Sequence, residues 1–531
     1  MPDGRVRTTK GERVRRVRLL LLFAAAAIVA LAFAAAANAA QYIVVFKSGQ
    51  SGQGVKAVKA AGGKVLRINK LGIGTVRSSR AGFAARLRAS GKVEGVAKNA
   101  RWETAEADGE ASTEDTQVTP GDAIAGCNAF FAPPPGVAGP DPLHVCQWGN
   151  HMMNATPAGS YAANRGEGTT VGILDSGIDA GHVDISPNLD AAHSCSFIKP
   201  GNPTAEPQEI APTGRACGPG EVSKWQDYNG HGTHVGGTAG APINGVGVVG
   251  IAPETTLVAL KVCTGQGYCF TQEVVDGLME AGDLRLDVAN MSFFADPFLY
   301  NCHGRHEEQT IIKAISRAAQ YATNRGVVLV AAAGNDSQDL DHPADDADYT
   351  QPGQTTGNNC VVLPQELPYV ATISAIGPRK ILASYSNISN SKVDVTAPGG
   401  DAGQSPGTTF GRILNAWSST GDQFPASRRT EQCTGPSGTP PCFQYVWISG
   451  TSMASPHAAG VAALIRAANP DMPPLAVIAT MQNTALPMYC TEEAETYAHH
   501  DCTGTSNPNA NGTQTNFYGN GLPDALAAGT K

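Results

Sequence analysis

The feature that most constrains the fold is a set of short apolar runs that alternate with polar, helical stretches between residues 169 and 399. Runs of Val, Ile, Leu and Ala without polar interruption are typical of strands buried on both faces of a parallel sheet. We therefore expect an α/β fold with a mostly parallel, doubly wound sheet and helices on both faces. In such sheets, ligands bind at the carboxyl ends of the strands. The runs are TTVGILDSG, TLVALKVC, LDVANMSF, GVVLVAAAGN, YVATISAI and KVDVTAPG.

Residues 41–102 differ from the rest of the chain in pattern and in charge. Two helical stretches among four β-rich stretches predict a small α+β unit of the ferredoxin-like, split βαβ kind. This segment has 13 Lys and Arg against one acidic residue, whereas the chain from Glu103 onward has 18 basic and 43 acidic residues. The opposite charges favour docking of one part on the other, and export argues against binding of nucleic acid by the basic segment.

The N-terminus has the pattern of a secretory signal peptide. A basic stretch precedes the apolar run from Leu19 to Ala37, and small residues follow up to Ala40. A membrane anchor is the alternative, because 19 apolar residues can just span a bilayer. We expect residues 1–40 to be a cleaved signal peptide, no stable membrane association afterwards, and a secreted, extracellular protein. Residues 103–121, acidic and without periodicity, are expected to form an exposed linker.

All 12 cysteines lie from Cys127 onward. An even number in an exported chain favours disulfides over a metal cluster. Pairing neighbours along the chain gives five pairs and leaves Cys302 and Cys360 for a sixth. The five pairs are Cys127–Cys146, Cys195–Cys217, Cys263–Cys269, Cys433–Cys442 and Cys490–Cys502. Most of these cysteines lie in Gly- and Pro-rich stretches near 195–225, 296–310, 336–366, 400–445 and 485–515, which we interpret as surface insertions.

The stretch NGHGTHVGGTAG contains two histidines, His231 and His234, three residues apart. Zinc-binding helices usually carry H-E-x-x-H, where a spacing of four aligns both rings and a glutamate acts as base. This stretch has neither the spacing nor the glutamate, so it is a poor metal motif. Asp175 ends a predicted strand, where a carboxylate can be catalytic or can cap a turn.

Two further positions have both a structural and a chemical interpretation. Ser452 begins a predicted helix, where it is either an N-cap or a nucleophile whose oxyanion product would meet free backbone N–H groups. Asn335 ends a strand and either closes a turn or donates its amide to that oxyanion. The order Asp, His, Ser argues against an α/β-hydrolase, in which the serine comes first.

Taken together, ILDSGID, GHGTHVGGT, AAAGN and GTSMASPHAAGVAAL closely resemble the motifs of subtilisin-like serine proteases, the subtilases. The resemblance implies Ser452 as nucleophile, His231 as general base, Asp175 as the carboxylate that orients the imidazole, and Asn335 in the oxyanion hole. It also implies a peptidase domain at 122–531, an inhibitory propeptide at 41–102 and a processing site within 103–121. His234 and His457 match family positions that pack.

The resemblance also implies how substrate and metal bind. A peptide would pair as an added strand between Ser292 and the edge formed by Gly265 and Gly267. Where the family usually has Ser-Leu-Gly-Gly, this chain has Ser292-Phe293-Phe294-Ala295, which leaves the specificity pocket undefined. No cofactor is required for catalysis. Asp184 and Asn244 match positions that bind structural calcium in some subtilases, and both residue types also occur in ordinary turns.

We expect, from this resemblance, a secreted serine endopeptidase made as a zymogen, with proteins or peptides and its own propeptide as partners. One alternative is a binding protein that keeps the fold without activity, although the four matching site residues argue against it. Another is an esterase or peptide ligase with the same triad. Covalent labelling of Ser452 distinguishes an active protease from the inactive binding protein. Comparing the rates of ester hydrolysis, peptide hydrolysis and aminolysis distinguishes a protease from an esterase or a peptide ligase.

Overall fold

The computed structural model describes residues 40–99, 118–131, 139–202, 204–343, 356–421, 424–435, 438–498, 502 and 515–531. The chain divides into two compact units, Met1–Ala100 and Arg101–Lys531. The predicted signal peptide, except Ala40, and residues 103–117 of the predicted linker lie outside the described residues.

The first unit is a four-stranded antiparallel sheet with two helices, in the order β2-β3-β1-β4, as a ferredoxin-like unit requires. Apolar residues of both helices meet the sheet in one core that includes Phe46, Val58, Phe83 and Leu87. Gly62 ends the first helix at φ 93°, a backbone conformation that glycine adopts without strain. The elements are β1 Ala40–Phe46, α1 Ser51–Ala61, β2 Lys64–Ile68, β3 Ile73–Ser78, α2 Phe83–Ala89 and β4 Val93–Asn99.

The second unit contains, among its described residues, an eight-stranded sheet in the order β14-β13-β11-β9-β5-β8-β6-β7. Every neighbouring pair is parallel except β6 with β7. This confirms the predicted mostly parallel α/β sheet. Its strands are β5 Thr170–Asp175, β6 Cys195–Ser196, β7 Ala216–Cys217, β8 Thr256–Lys261, β9 Val288–Met291, β11 Val328–Ala332, β13 Val370–Ile376 and β14 Val393–Pro398.

The helices of the second unit cover this sheet. Helix α10, Thr451–Ala468, is buried over most of its length, and its small residues let it lie close to its neighbours: a Cβ on Gly460 would lie 2.5 Å from the Ile251 side chain. Within the described part of the chain, no helix is both long and apolar enough to cross a membrane. The other helices are α3 Pro120–Phe131, α4 Trp148–Met152, α5 Ser160–Ala163, α6 Val222–Trp225, α7 His231–Gly240, α8 Thr271–Leu284, α9 His306–Asn324, α11 Pro474–Asn483, α12 Glu492–Ala498 and α13 Ala525–Gly529.

The chain order of the strands places a switch point at β5. From β5 the chain goes to β6 and β7 at one edge of the sheet and returns to β8 beside β5. It then crosses to β9 and continues through β11, β13 and β14 on the other side. Crossovers that leave a strand in opposite directions open a crevice at its carboxyl end, which is where such sheets bind ligands. Asp175 is the last residue of β5 and therefore lies at this crevice.

The predicted surface insertions are wrong in part, because several of their residues form buried strands. Residues 400–445 contribute to a three-stranded antiparallel sheet in the order β15-β17-β16, which carries the buried aromatic residues Trp417, Tyr445 and Trp447 into the main core. The physical reason is that aromatic and β-branched residues outweigh the glycines and prolines around them. These strands, with the separate pair β10 and β12, are β10 Tyr300–Cys302, β12 Cys360–Val362, β15 Ile413–Trp417, β16 Arg429–Cys433 and β17 Cys442–Ile448.

The helix α3 begins at Pro120, so the last two residues of the predicted 103–121 linker are helical. Proline is favoured in a first helical turn because it lacks the N–H that would be unsatisfied there. The Thr119 side chain accepts the Asp122 N–H at 3.1 Å and donates to the Asp122 carboxylate at 2.6 Å, which caps the helix.

The six disulfides join the cysteines that were expected to pair, including Cys302 with Cys360. Three of them join neighbouring antiparallel strands: Cys195–Cys217 joins β6 and β7, Cys302–Cys360 joins β10 and β12, and Cys433–Cys442 joins β16 and β17. The disulfide framework of the chain is therefore confirmed.

The pH dependence of stability follows from groups whose pKa changes on folding. Burial lowers the pKa of His144 and His234 to about 3 and that of His182 and His457 to about 4, below the usual 6.5. Below pH 6.5 these histidines therefore bind protons in the unfolded chain but stay neutral in the folded chain. The free energy of unfolding falls as a result. Burial also raises the pKa of several carboxyl groups, which opposes this loss until the unfolded carboxyls titrate near pH 4. Among them are Asp184 at about 7, Glu366 at about 7 and Asp394 at about 6.

We predict a small loss of stability from pH 7 to 5 and a steep loss below about pH 4, measured by urea unfolding at each pH. His182→Gln should reduce the acid-induced loss by about 3 kcal/mol, because each unit of pKa difference is worth about 1.4 kcal/mol. The variant keeps a donor for the Gln444 carbonyl, which His182 contacts at 3.1 Å. An identical pH dependence in both proteins would contradict this account.

Candidate active site

Asp175 is the buried carboxylate at the end of β5. Its Oδ1 lies 2.9 Å from His231 Nδ1 and accepts the Ser176 N–H at 2.7 Å. The side chain is almost fully buried, whereas His231 is about a third exposed. The structure therefore brings together two of the predicted site residues, 56 positions apart in the chain.

His231 is the first residue of α7, and its position depends on the glycines on either side. Gly230 has φ 107° and lies so close to Trp417 that an added Cβ would be 2.2 Å from the indole. An added Cβ on Gly232 would lie 2.2 Å from the Gly177 carbonyl oxygen and 3.1 Å from the Asp175 Cβ. Only glycine lets α7 approach β5 closely enough for the imidazole to reach the carboxylate.

Asp227, which the sequence analysis missed, holds the turn before this helix. Its fully buried carboxylate accepts the N–H groups of Asn229 at 3.0 Å, Gly230 at 2.8 Å and Thr233 at 2.8 Å. An acidic side chain that accepts N–H groups at a helix start is the usual capping arrangement. The signal was an Asp four residues before the His-Gly pair, at the helix start already predicted from the motif.

His234 points away from His231 and is packed in the core. Its Nε2 lies 3.2 Å from the Ile413 carbonyl oxygen and 3.1 Å from that of Val446, and the side chain is fully buried. Burial, reinforced by repulsion from His231, lowers the pKa of His234 to about 3, so it stays neutral. His457 is also buried, and its Nδ1 contacts the Met453 carbonyl oxygen at 2.7 Å. The two histidines of the motif thus have separate partners.

Ser452 lies in the first turn of α10 and is tied to the end of β9. Its hydroxyl donates to the Ser292 carbonyl oxygen at 3.1 Å, and the Ser292 hydroxyl donates to the Ser452 carbonyl oxygen at 2.8 Å. Asn290 donates to the Ser292 hydroxyl at 2.9 Å and accepts from Ser455 at 2.5 Å. The Ser292 side chain, expected along the substrate, is therefore buried in the contact between β9 and α10, and its backbone carbonyl faces the Ser452 hydroxyl.

Asn335 is oriented by Thr451, a second residue that the sequence analysis missed. The Asn335 amide oxygen accepts both the N–H and the hydroxyl of Thr451 at 2.8 Å. The Asn335 Nδ2 group is therefore the part of the amide that can donate to another group. It lies beside Gly450, because a Cβ added to that glycine would be 3.5 Å from Nδ2. The sequence signal for this role was the position of Thr451 directly before the candidate nucleophile Ser452. Helix α10 thus positions both Ser452 and the amide of Asn335.

Gly265 and Gly267 lie in the tight turn after β8, which the Cys263–Cys269 disulfide closes. The Gly265 N–H donates to the Glu209 carboxylate at 2.8 Å, and its carbonyl accepts from Asn229 Nδ2 at 3.2 Å. Gly267 has φ 85° and donates to the Thr264 carbonyl oxygen at 2.9 Å. Both polar backbone groups of Gly265 thus have partners within the protein.

The two phenylalanines that replace the expected Leu-Gly are both partly exposed. Phe294 packs against a small apolar cluster that is separate from the main core. Its neighbours there come from the disulfide-linked strands β10 and β12 and the residues around them. They are Leu299, Tyr300, Cys302, Leu340, Cys360 and Val362. The Phe294 side chain is thus packed against the disulfide-linked strands β10 and β12 and does not join the main core.

Asp184 and Asn244, the two candidate calcium ligands, contact each other, and Asp141 joins them. Asn244 Nδ2 donates to Asp184 at 3.0 Å, and Asp141 accepts the N–H groups of Asn244 at 3.1 Å and Gly245 at 2.7 Å. Burial raises the pKa of both carboxyl groups, and the charge of Asp141 raises that of Asp184 further, less strongly than burial does. Carboxylate, amide and backbone oxygens suit Ca²⁺. The described residues contain no group of three or more His, Cys, Asp or Glu side chains that could hold a metal.

These groups together suit nucleophilic catalysis. The imidazole of His231 contacts a buried carboxylate on one side, a hydroxyl lies at the start of a buried helix, and an oriented amide stands beside it. A carboxylate that accepts from Nδ1 fixes the tautomer in which Nε2 can take a proton. Backbone N–H groups at a helix start and a side-chain amide can stabilise a developing oxyanion.

Comparison with known proteins gives related sequences and folds. A family model described as the subtilase family, peptidase S8, matches residues 166–521. M-protease of Shouchella clausii is 29% identical over 382 residues, which cover 72% of this chain and 69% of the relative. Subtilisin Savinase of Lederbergia lenta is 28% identical over 382 residues, 72% of this chain and 97% of the relative.

Solved structures share the fold at lower identity. The epidermin leader peptide processing serine protease of Staphylococcus aureus aligns with TM-score 0.64 and 19% identity, covering 92% of this chain and 98% of its own. Fervidolysin of Fervidobacterium pennivorans aligns with TM-score 0.61 and 20% identity, covering 93% of this chain and 61% of its own. Both likenesses support the architecture described above.

Two glycines of α7 give a matched test of the close approach. We predict that Gly232→Ala lowers activity by at least about 100-fold and destabilises the protein, because its Cβ would meet a backbone carbonyl at 2.2 Å and displace His231. Gly236→Ala should leave activity intact and raise stability by up to about 1 kcal/mol, because its Cβ would make ordinary contacts of 3.4 Å or more. Peptide hydrolysis and thermal unfolding of both variants measure this. Equal effects would contradict the role of Gly232.

Proposed function

We propose, from the premise that this chain belongs to the subtilase family and is a serine-type endopeptidase, that Asp175, His231 and Ser452 are its catalytic triad. The observation that carries the proposal is the 2.9 Å contact between His231 Nδ1 and the buried Asp175 carboxylate. The Ser452 hydroxyl at the start of α10 supplies the third group.

The proposed reaction proceeds through an acyl-enzyme. His231 takes the proton of the Ser452 hydroxyl as the oxygen attacks the peptide carbonyl, and then gives that proton to the leaving amine. Asp175 stabilises the imidazolium that forms between these steps. Water, activated by the same imidazole, then hydrolyses the ester and regenerates Ser452.

The oxyanion of each tetrahedral intermediate would be bound by the Ser452 N–H and Asn335 Nδ2. The position of Asn335 supports this, because Thr451 already occupies its amide oxygen and so the amide can only donate. Loss of one such donor costs about 3–4 kcal/mol of transition-state stabilisation in related chemistry. Thr451 is thus a positioning residue for the proposed oxyanion hole.

The enzyme acts on protein or peptide substrates. We propose that the peptide binds in extended form between the end of β9 at Ser292 and the turn after β8. Since both backbone groups of Gly265 have partners within the protein, the substrate would pair with this turn near Gly267. Phe293 and Phe294 would contact side chains of the substrate and set its preference.

The proposed life history is that of an exported zymogen. Residues 1–40 would direct export, 41–102 would fold as an inhibitory propeptide, and cleavage within 103–121 would release the peptidase domain at 122–531. Three observations support it: the independent ferredoxin-like core of the first unit, its basic charge against an acidic remainder, and six disulfides that suit an oxidising compartment.

The nucleophile is tested by covalent labelling with an organophosphorus reagent. We predict that the mature enzyme is labelled at Ser452, that Ser452→Ala is neither labelled nor active, and that this variant accumulates with residues 41–121 attached. Ser449→Ala is the matched control, because Ser449 is exposed three residues earlier, and it should be labelled and processed normally. Mass spectrometry reads both outcomes. Absence of labelling in the processed wild-type protein would refute the triad, and normal processing of Ser452→Ala would refute self-cleavage.

A structural calcium ion would be held by Asp141, Asp184, Asn244 and backbone oxygens of the following loop, and its role would be to fix that loop. We predict that a chelator lowers the melting temperature by about 3 °C, since a site saturated at 100 times its Kd adds about 2.7 kcal/mol and a domain of this size unfolds with a large entropy change. Asp184→Asn should abolish the chelator effect, and Asp190→Asn should retain it. A chelator effect of the same size in both variants would locate calcium elsewhere.

A further inference from the structure

The segment between β6 and β7 packs against the sheet through buried charges. The Cys195–Cys217 disulfide closes it. Lys199 forms an ion pair with Asp276 of α8 at 2.8 Å, and both side chains are buried. Thr204 contacts Thr264, at the end of β8, at 3.1 Å. This segment, residues 195–217, is therefore built into the protein beside the candidate active site; we refer to it as the 195–217 insertion.

Glu209 is a charged residue of the 195–217 insertion that contacts a strand of the main sheet. It is fully buried, and its Oε2 lies 3.1 Å from Nζ of the fully buried Lys261. The same oxygen accepts the Gly265 N–H at 2.8 Å, and Oε1 accepts the Glu206 N–H at 2.8 Å. A buried carboxylate needs such partners, because burial without them would favour its neutral form.

One path from Glu209 leads to Asp175. Lys261 Nζ donates to the Ser176 carbonyl oxygen, next to the carboxylate that contacts His231. Strands β5 and β8 pair with Asp175 opposite Lys261, so the ammonium fixes the backbone just beyond the end of β5. The Tyr228 ring lies 5.7 Å from Nζ on another side.

A second path from Glu209 leads to His231. The Gly265 peptide, whose N–H is held by Glu209, accepts Asn229 Nδ2 at its carbonyl oxygen at 3.2 Å. The Asn229 amide oxygen accepts the His231 N–H at 3.2 Å. The Glu209 carboxylate therefore connects, through Lys261, to the carbonyl of the residue that follows the orienting acid and, through Gly265 and Asn229, to the backbone N–H of the candidate base.

We propose that Glu209 is a positioning residue of the active site, which fixes the backbone of Asp175 through Lys261 and that of His231 through Gly265 and Asn229. The proposal rests on the triad proposed above. It links one residue of the 195–217 insertion, Glu209, to the catalytic apparatus and to the turn after β8 where substrate would bind. An apolar residue at 209 could fill the space but could hold neither the ammonium nor the Gly265 N–H.

The charges predict a readout that loss of packing alone would not produce. Lys261 and Glu209 balance each other, so removing one leaves the other charge near the imidazole. An unbalanced ammonium disfavours the imidazolium, and an unbalanced carboxylate favours it. Ionisable groups close to His231 in the described structure include Asp175, Asp227 and His234, which stay the same in all variants.

The experiment compares the mature forms of Glu209→Gln, Lys261→Met and the double variant with wild type. Lys199→Met is the matched control, because it breaks a buried ion pair of the same insertion without touching Lys261 or Gly265. Wild-type labelling at Ser452 is verified first, so that failure of the proposed triad is recognised separately. Thermal unfolding, kcat, KM and the pH profile of kcat/KM are then measured on an extended peptide.

We expect Glu209→Gln to lower kcat/KM by about 10- to 100-fold and to move the acid limb of its pH profile to lower pH. Lys261→Met should move that limb to higher pH, and the double variant should return it close to the wild-type position. Lys199→Met should lose stability and keep the wild-type profile. Shifts of the acid limb in the same direction for Glu209→Gln and Lys261→Met would overturn the proposal. So would pH profiles of these two variants that equal the profile of Lys199→Met, provided that the wild-type enzyme is active.

Discussion

The site depends on the direction of the strands. Because β5, β9 and β11 are parallel neighbours, their carboxyl ends meet at one edge of the sheet, and each delivers a polar residue there: Asp175 at the end of β5, Ser292 just after β9 and Asn335 just after β11. The two helices that complete the site, α7 and α10, both begin at this edge. The N–H groups of a helix start and the ends of parallel strands are thus brought together by one architectural constraint.

Close approach then turns this common edge into a site with defined contacts. Gly232 lets α7 lie against β5, and the small residues of α10 let that helix lie deep in the core. Several polar groups that this packing buries have specific partners: the N–H groups at the start of α7 donate to Asp227, and Ser292 contacts both Asn290 and Ser452 under α10. Buried polar groups with complete partners fix one arrangement, because any displacement leaves a donor or acceptor without its bond.

The sequence predicted those parts of the molecule in which a short pattern determines the structure. The pattern of apolar residues predicted the parallel sheet of the second unit and the ferredoxin-like sheet of the first. The order of the cysteines along the chain predicted the disulfide pairs. The antiparallel sheet containing Trp417 and Trp447 was missed, because its apolar residues stand among glycines and prolines that locally favour loops. Asp227 and Thr451 were missed because their roles depend on partners that only folding brings near, although each stands beside a recognisable motif residue.

The buried ion pair between Lys261 and Glu209 shows that a buried charge needs a partner, and here this partner comes from an insertion. Lys261 is a fully buried ammonium at the end of a core strand, and a cation there is tolerated only with a compensating carboxylate and polar backbone. The carboxylate comes from Glu209, within the disulfide-closed 195–217 insertion. Since removing either partner would leave an uncompensated buried charge, the insertion cannot vary independently of the strand that bears Lys261. A segment that the sequence suggested was peripheral is therefore held, by electrostatics, to the strands that carry the site.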